Sequence, residues 1–270
     1  MPNLKRLKAV GTVVASLRGG IPYATMRPTE TLAYAGPANG YKRVADVYQP
    51  TTPNGTSVVL IHGGGFVIGS RDMKPMRVLA TDLVNAGVTV CSVDYRLLPR
   101  ARVPGMRDDA VLALFWWLDE VRRRGLNADA VDLVGLSAGG TLACLANEAV
   151  PAGSIRQLIL GFPLLDVTAL SGRGVGVLAR VLFPKGDRAR WSPVVVCTAQ
   201  TPVTIHQGTA DQLVKAEVVD RVVGALRDRG VSVQLHSYEG GTHGLFNAPT
   251  DAHAVVARQR VVAQVSSGPQ

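Results

Sequence analysis

Short apolar runs rich in β-branched residues recur along the chain, separated by stretches with helical spacing. Thr31 to Gly36 and Tyr41 to Tyr48 alternate as strands, and Asn39-Gly40 between them is a strong hairpin turn. Thr56 to Ile61 is a continuously apolar strand that runs into His62-Gly63-Gly64-Gly65-Phe66. A helix over Met73 to Asn85, a strand over Val88 to Tyr95 and a long helix over Pro104 to Arg124 follow. Val131 to Val134 is the next strand, and a helix begins at Thr141. Farther on, strands at Ile155 to Gly161, Pro202 to Ile205 and Val231 to Tyr238 alternate with helices at Glu217 to Arg229 and Ala252 to Val265. This rhythm predicts an α/β fold: a mostly parallel sheet covered on both faces, with the early hairpin adding antiparallel strands at one edge.

Two segments depart from the rhythm. Pro163 to Ser192 is long for a connection between a strand and a helix, and it carries Leu170, Val175, Val177, Leu178, Val181, Leu182 and Phe183. Long apolar connections in compact domains are often lids. At the N-terminus, Lys5-Arg6-Leu7-Lys8 precedes the apolar stretch Ala9 to Leu17. Gly11 interrupts that stretch, Arg18 closes it and a small-x-small cleavage site is missing, so it reads as a short amphipathic helix over the body of the protein, with an export signal as the alternative.

Composition narrows the class. The chain has 270 residues, 47% apolar and 18% charged, which suits one globular domain spanning residues 1–270. No apolar run reaches the roughly 18–20 residues that span a bilayer. The net charge of +9 raises nucleic-acid binding, but aromatic content is 5% and the arginines are scattered. The densest cluster, Arg122-Arg123-Arg124, ends a predicted helix, where cations complement the dipole. The charge therefore reads as a solvated surface, and no nucleic-acid partner is expected. Cys91, Cys144 and Cys197 are odd in number and lack metal-ligand spacing, as expected of buried free thiols in a reducing, cytoplasmic setting. No metal or other cofactor is expected, and a homodimer is left open.

The candidate chemistry centres on Gly135-Leu136-Ser137-Ala138-Gly139-Gly140, between a β-branched strand and a helix. Gly-x-Ser-x-Gly in that setting is a nucleophile elbow, with the serine on a strained turn and glycines two residues to either side. A serine hydroxyl needs a base. Of five histidines, His62, His206, His236 and His253 read as satisfied or solvated imidazoles. His243 lies in the glycine-rich loop after the last strand, at the place expected for the base in the order serine, acid, histidine. Asp211, in Gly208-Thr209-Ala210-Asp211, lies between them on a loop after a strand; Asp166 and Asp187 fall in the long segment, and Asp220 and Asp228 on a helix. The oxyanion would rest on backbone N–H groups of Gly63, Gly64 and Gly65, together with that of Ala138. Phe66, Leu136, Leu213 and Leu245 are candidates for lining the acyl or alcohol pocket.

Together, His62-Gly63-Gly64-Gly65-Phe66, Gly135-Leu136-Ser137-Ala138-Gly139-Gly140, Asp94-Tyr95-Arg96-Leu97 and the Asp211 and His243 loops resemble the hormone-sensitive-lipase-like branch of the α/β-hydrolases. The resemblance covers roughly Val44 to Phe246. It implies the α/β-hydrolase fold and a carboxylesterase acting on short- or medium-chain acyl esters of small molecules, without metal or cofactor. It also implies a cap built from residues 1–30 and 163–192. Leu136 stands where that branch often has an acidic residue, and Leu97-Leu98-Pro99-Arg100 where it often has Leu-Ala-Pro-Glu. An aryl formamidase resembles the same scaffold and uses the same triad, so amide hydrolysis is an alternative. A non-catalytic hormone receptor of similar fold is a remote one, since such receptors lack a competent histidine at the position of His243.

Overall fold

Hydrophobic alternation along the central strands assigns each apolar side chain to one of two faces. In the computed structural model, which describes residues 24–170, 175–183, 186 and 188–268, β3 (Ser57–Ile61) sends Val59 and Ile61 to one core and Val58 and Leu60 to the other. β4 (Thr89–Val93) and β5 (Val131–Leu136) divide in the same way, and every residue of these three strands is buried. Strands with apolar groups on both sides need cover on both sides, which explains their near-continuous apolar sequence.

The sheet has eight strands in the order β1-β2-β4-β3-β5-β6-β7-β8. β1 (Glu30–Ala38) and β2 (Tyr41–Tyr48) form the antiparallel hairpin, turned by Asn39 and Gly40, both with positive φ. β2 joins β4 antiparallel, and every later pairing through β6 (Gln157–Gly161), β7 (Val203–Gly208) and β8 (Val233–Tyr238) is parallel. One face carries α1 (Lys74–Asn85) and α6 (Ala252–Ser266). The other carries α2 (Val103–Arg123), α3 (Ala138–Asn147) and α5 (Ala216–Asp228).

The segment after β6 contains short 3-10 turns, a single helical turn at Pro193–Val196 and the helix α4 (Val175–Leu182), whose Ala179 and Leu182 are buried with Phe183 in the larger core. The N-terminal helix expected before Gly20 lies outside the described residues. Among the described residues no helix is long and apolar enough to cross a membrane. The three cysteines are free and buried. The arginine cluster at the end of α2 is paired rather than merely solvated: Arg122 bonds Asp119, Arg123 bonds Glu120, and Arg124 bonds both Glu120 and Glu30.

A parallel sheet of this order has a topological switch between β3 and β5, because β3 leads outward to β4 while β5 leads the opposite way to β6. The crevice beyond the carboxyl ends of the strands at such a switch is where open α/β sheets bind ligands.

Candidate active site

Ser137 follows β5 directly, at the switch point, and is the residue before the first turn of α3. Its φ of 52° and ψ of −116° are strained for a residue with a Cβ, a conformation costing roughly 1–3 kcal/mol. The turn is held from both sides. Ser137 N–H donates to Gly161 O of β6 at 2.8 Å, and Gly140 N–H donates to Ser137 O at 2.9 Å. Gly139 is required because a Cβ there would lie 2.2 Å from Ile61 O and 2.4 Å from His62 O. The absent side chain lets the start of α3 press against the end of β3.

The loops after β7 and β8 supply the other two polar groups. They are laced together: Thr209 N–H donates to Tyr238 O at 3.0 Å, and Ala210 N–H to Gly241 O at 2.9 Å. Gly240 N–H donates to the Thr209 hydroxyl at 2.9 Å. These bonds bring Asp211 and His243 together, with Asp211 Oδ2 2.8 Å from His243 Nδ1. His243 Nε2 in turn lies 3.0 Å from Ser137 Oγ. Asp211 Oδ1 accepts the N–H groups of Leu213 and Val214, at 2.8 and 2.9 Å. The carboxylate can only accept, so Nδ1 carries the imidazole proton and Nε2 presents its lone pair to the serine hydroxyl. Both Asp211 and His243 are buried. The ring of Phe162 packs against the imidazole at 4.6 Å, and Phe162 itself holds φ at 38°.

Opposite the serine, the glycine run after β3 turns sharply. Gly64 has φ of 118°, and a Cβ on it would lie 1.8 Å from Ile68 O. The turn closes through Val67 and Ile68 N–H, each 3.1 Å from Gly64 O. His62 braces it from beneath. Its Nδ1 lies 2.8 Å from Gly63 O, its ring stacks on Tyr95 at 4.3 Å, and Tyr95 donates its hydroxyl to His62 O at 2.9 Å. Burial holds the His62 imidazole below its ordinary pKa, so it is a neutral structural ring.

A cavity of about 270 Å³ opens where these loops meet. Gly63, Gly64, Gly65, Ser137, Ala138 and His243 line its polar end. Phe66, Leu136 and Leu213 line it as the sequence predicts, joined by Ile68, Met73, Pro75, Phe162, Leu164, Leu170 and Val214. Leu245 differs: the turn closed by its N–H on Thr242 O at 3.2 Å carries it into the core on the α6 face. Asn247 is the further polar residue in the wall. Phe162 and Asn247 belong to no motif of the sequence, although Phe162 follows β6 just as Ser137 follows β5. Among the described residues no lysine or arginine lines the cavity. Among the described residues no group of three or more His, Cys, Asp or Glu side chains is placed to hold a metal.

Such a row of hydroxyl, imidazole and carboxylate facing a glycine turn suits proton transfer coupled to nucleophilic attack. Residues 58–247 match the family described as alpha/beta hydrolase fold. The chain is 32% identical to an ethyl acetate hydrolase of Pseudomonas putida over 232 residues, 76% of this chain and 72% of that protein. It is 30% identical to the esterase LipI of Mycobacterium tuberculosis over 244 residues, 86% of this chain and 76% of that one. A butyrate-bound thermophilic esterase of Thermogutta terrifontis superposes with a TM-score of 0.73 at 23% identity, over 88% of this chain and 92% of that one. The chain belongs to the α/β-hydrolase family, in its hormone-sensitive-lipase-like branch, and is a carboxylic ester hydrolase.

Proposed function

We propose that the chain hydrolyses short- to medium-chain acyl esters of small, uncharged alcohols through an acyl-enzyme on Ser137. The observation that carries this reading is the hydrogen-bonded row from Ser137 through His243 to Asp211, ending at an apolar cavity. His243 Nε2 takes the serine proton as Oγ attacks the ester carbonyl. Asp211 holds the ring tautomer and stabilises the imidazolium as it forms, without taking the proton itself. The oxyanion rests on N–H groups of the Gly63–Gly65 run and of Ala138. The imidazolium then protonates the leaving alcohol, and a water activated by the same ring releases the acid.

The cavity supports the substrate class. At about 270 Å³ it lies just below the roughly 300–1,000 Å³ of typical ligand pockets, and its mainly apolar walls favour small, neutral acyl groups. Residues 163–192 act as the cap in this reading, since Leu164 and Leu170 reach the cavity and Phe183 packs edge-on against Phe66 at 6.1 Å. The Pseudomonas putida and Mycobacterium tuberculosis relatives are named as ester hydrolases, which favours an ester over the formamide alternative.

The test is turnover of a p-nitrophenyl ester series from acetate to dodecanoate, with matched aryl formamides, by the wild type and Ser137→Ala. Activity should peak at the short and medium esters and vanish in the variant while its circular dichroism is unchanged. Retention of a tenth of the rate by Ser137→Ala would refute the assignment.

A further inference from the structure

Asp211 Oδ1 accepts two backbone amides and Oδ2 accepts His243 Nδ1, which leaves one of the carboxylate's roughly four acceptor positions open. Gln207, the next-to-last residue of β7, occupies it. Its side-chain amide nitrogen lies 3.2 Å from Asp211 Oδ2, 2.9 Å from Val214 O and 3.2 Å from Gly208 O. All three neighbours are acceptors, so the amide can sit only with its NH₂ toward them. The opposite orientation would set Oε1 against a carboxylate and two carbonyls. Gln207 is fully enclosed, and its Oε1 has no hydrogen-bond partner. A buried amide that leaves its own oxygen unsatisfied indicates that the contacts of its nitrogen are what the site needs.

We propose that Gln207 is a positioning residue for the hydrolytic reaction. By donating to Asp211 Oδ2 and Val214 O it closes the loop from Gly208 to Val214 and fixes the rotation of the carboxylate, so that Oδ2 faces the imidazole. The proposal rests on the Ser137–His243–Asp211 reading above. Without Gln207 the carboxylate keeps its backbone donors on Oδ1 but is free to tilt about them. The imidazole then loses its alignment with the serine, which lowers the rate of the chemical step more than it weakens ester binding, because Gln207 itself does not line the cavity and the N–H groups of Leu213 and Val214 keep their bonds to Asp211 Oδ1.

The experiment compares wild type, Gln207→Leu, Gln207→Glu and Ser137→Ala on p-nitrophenyl acetate, with thermal unfolding of each. Gln207→Leu should lose roughly 10-fold or more in kcat, the scale seen for outer partners that orient an imidazole at metal sites, with KM within twofold. Gln207→Glu sets a second carboxylate beside Asp211. Two carboxyl groups this close and this buried cannot both ionise, so the pair holds one proton, which replaces the amide as donor to Asp211 Oδ2, and this variant should keep a kcat well above that of Gln207→Leu. A Gln207→Leu enzyme that loses thermal stability but keeps the wild-type kcat would overturn the proposal. If that variant does not fold, Gln207→Met, which keeps the length of the side chain but has no donor, takes its place, and a wild-type kcat there would overturn the proposal. An active Ser137→Ala would instead overturn the parent reading, so the two failures are distinguishable.

Discussion

The ring of Phe162 lies 4.6 Å from the imidazole of His243, tilted by 56°, and is held there by a backbone bent to a φ of 38°. The bend is enforced from β7, because Phe162 N–H donates to His206 O at 2.7 Å. The next strand therefore aims an aromatic ring at the side of the imidazole. The ring also rests on Phe246 at 6.0 Å and forms part of the cavity wall. It backs the imidazole and bounds the pocket at once.

Phe162→Ala should therefore change two properties together. Truncating a buried phenylalanine costs about 3–5 kcal/mol, and alanine keeps the Cβ that strains this φ, so the melting temperature falls. The space released lies beside Ser137, so the preferred ester should lengthen by several carbons while kcat on acetate falls. Thermal melts and the p-nitrophenyl ester series check both. A variant with unchanged chain-length preference would show that this wall does not limit the acyl group.

The glycine run makes a graded prediction. An alanine at Gly64 would put its Cβ 1.8 Å from Ile68 O, at a φ of 118°. At Gly65 the φ is 62° and no atom lies within 4 Å of a new Cβ. Gly64→Ala should displace the turn and cost about 10²-fold or more in kcat, the scale of losing one oxyanion donor. Gly65→Ala bears only the left-handed backbone cost of about 1–2 kcal/mol and should keep most of its activity. Equal losses in kinetics of the two variants would contradict this account of the turn.

Much of this site is legible in the sequence because its parts punctuate strand ends. Gly-x-Ser-x-Gly after Val131 to Val134, three glycines after Ile61 and a histidine among glycines after Tyr238 mark backbone conformations or groups that a strand would not otherwise tolerate. The parallel sheet then places all of those ends on one edge. What the pattern does not carry is the lateral register between strands. Phe162 and Gln207 read as ordinary strand-end residues, and only the alignment of β6 and β7 with their neighbours shows what each side chain meets. Leu245 reads as a pocket residue by proximity to His243, but one turn of backbone takes it into the core instead. The pairing of Arg124 with Glu30 is likewise invisible locally, since the partner is the first residue of β1.

Asp211→Asn separates geometry from charge within the row. The side chain keeps its size, and its carbonyl oxygen can still accept the N–H groups of Leu213 and Val214, which place it at 2.8 and 2.9 Å. Its NH₂ then stands in place of Oδ2, where it no longer accepts from the Gln207 amide, faces His243 Nδ1 and favours the tautomer with the proton on Nε2, which cannot accept the proton of Ser137. In the serine-protease triad the same exchange lowers kcat about 10⁴-fold. A comparable loss is expected here at neutral pH, with labelling of Ser137 by a fluorophosphonate slowed in parallel. Labelling at the wild-type rate would show that the carboxylate does not act through the imidazole.

His206 makes the fold sensitive to acid at a point away from the cavity. It is fully buried on β7, with Nδ1 2.7 Å from the Tyr238 hydroxyl and Nε2 without a partner. Burial is the main force that lowers its pKa from 6.5 to about 3, and the neighbouring His236 and Arg260 push the same way. The folded chain therefore keeps this ring neutral at pH values where the unfolded chain protonates it. Its contribution to stability is complete above pH 6.5 and is lost as pH falls from there toward 3, by up to about 1.4 kcal/mol per pH unit. His206→Gln can still bond the Tyr238 hydroxyl but takes up no proton. Urea unfolding at pH 7, 6, 5 and 4 should therefore show wild-type stability declining more steeply than that of the variant. Parallel declines would mean that His206 does not drive acid unfolding.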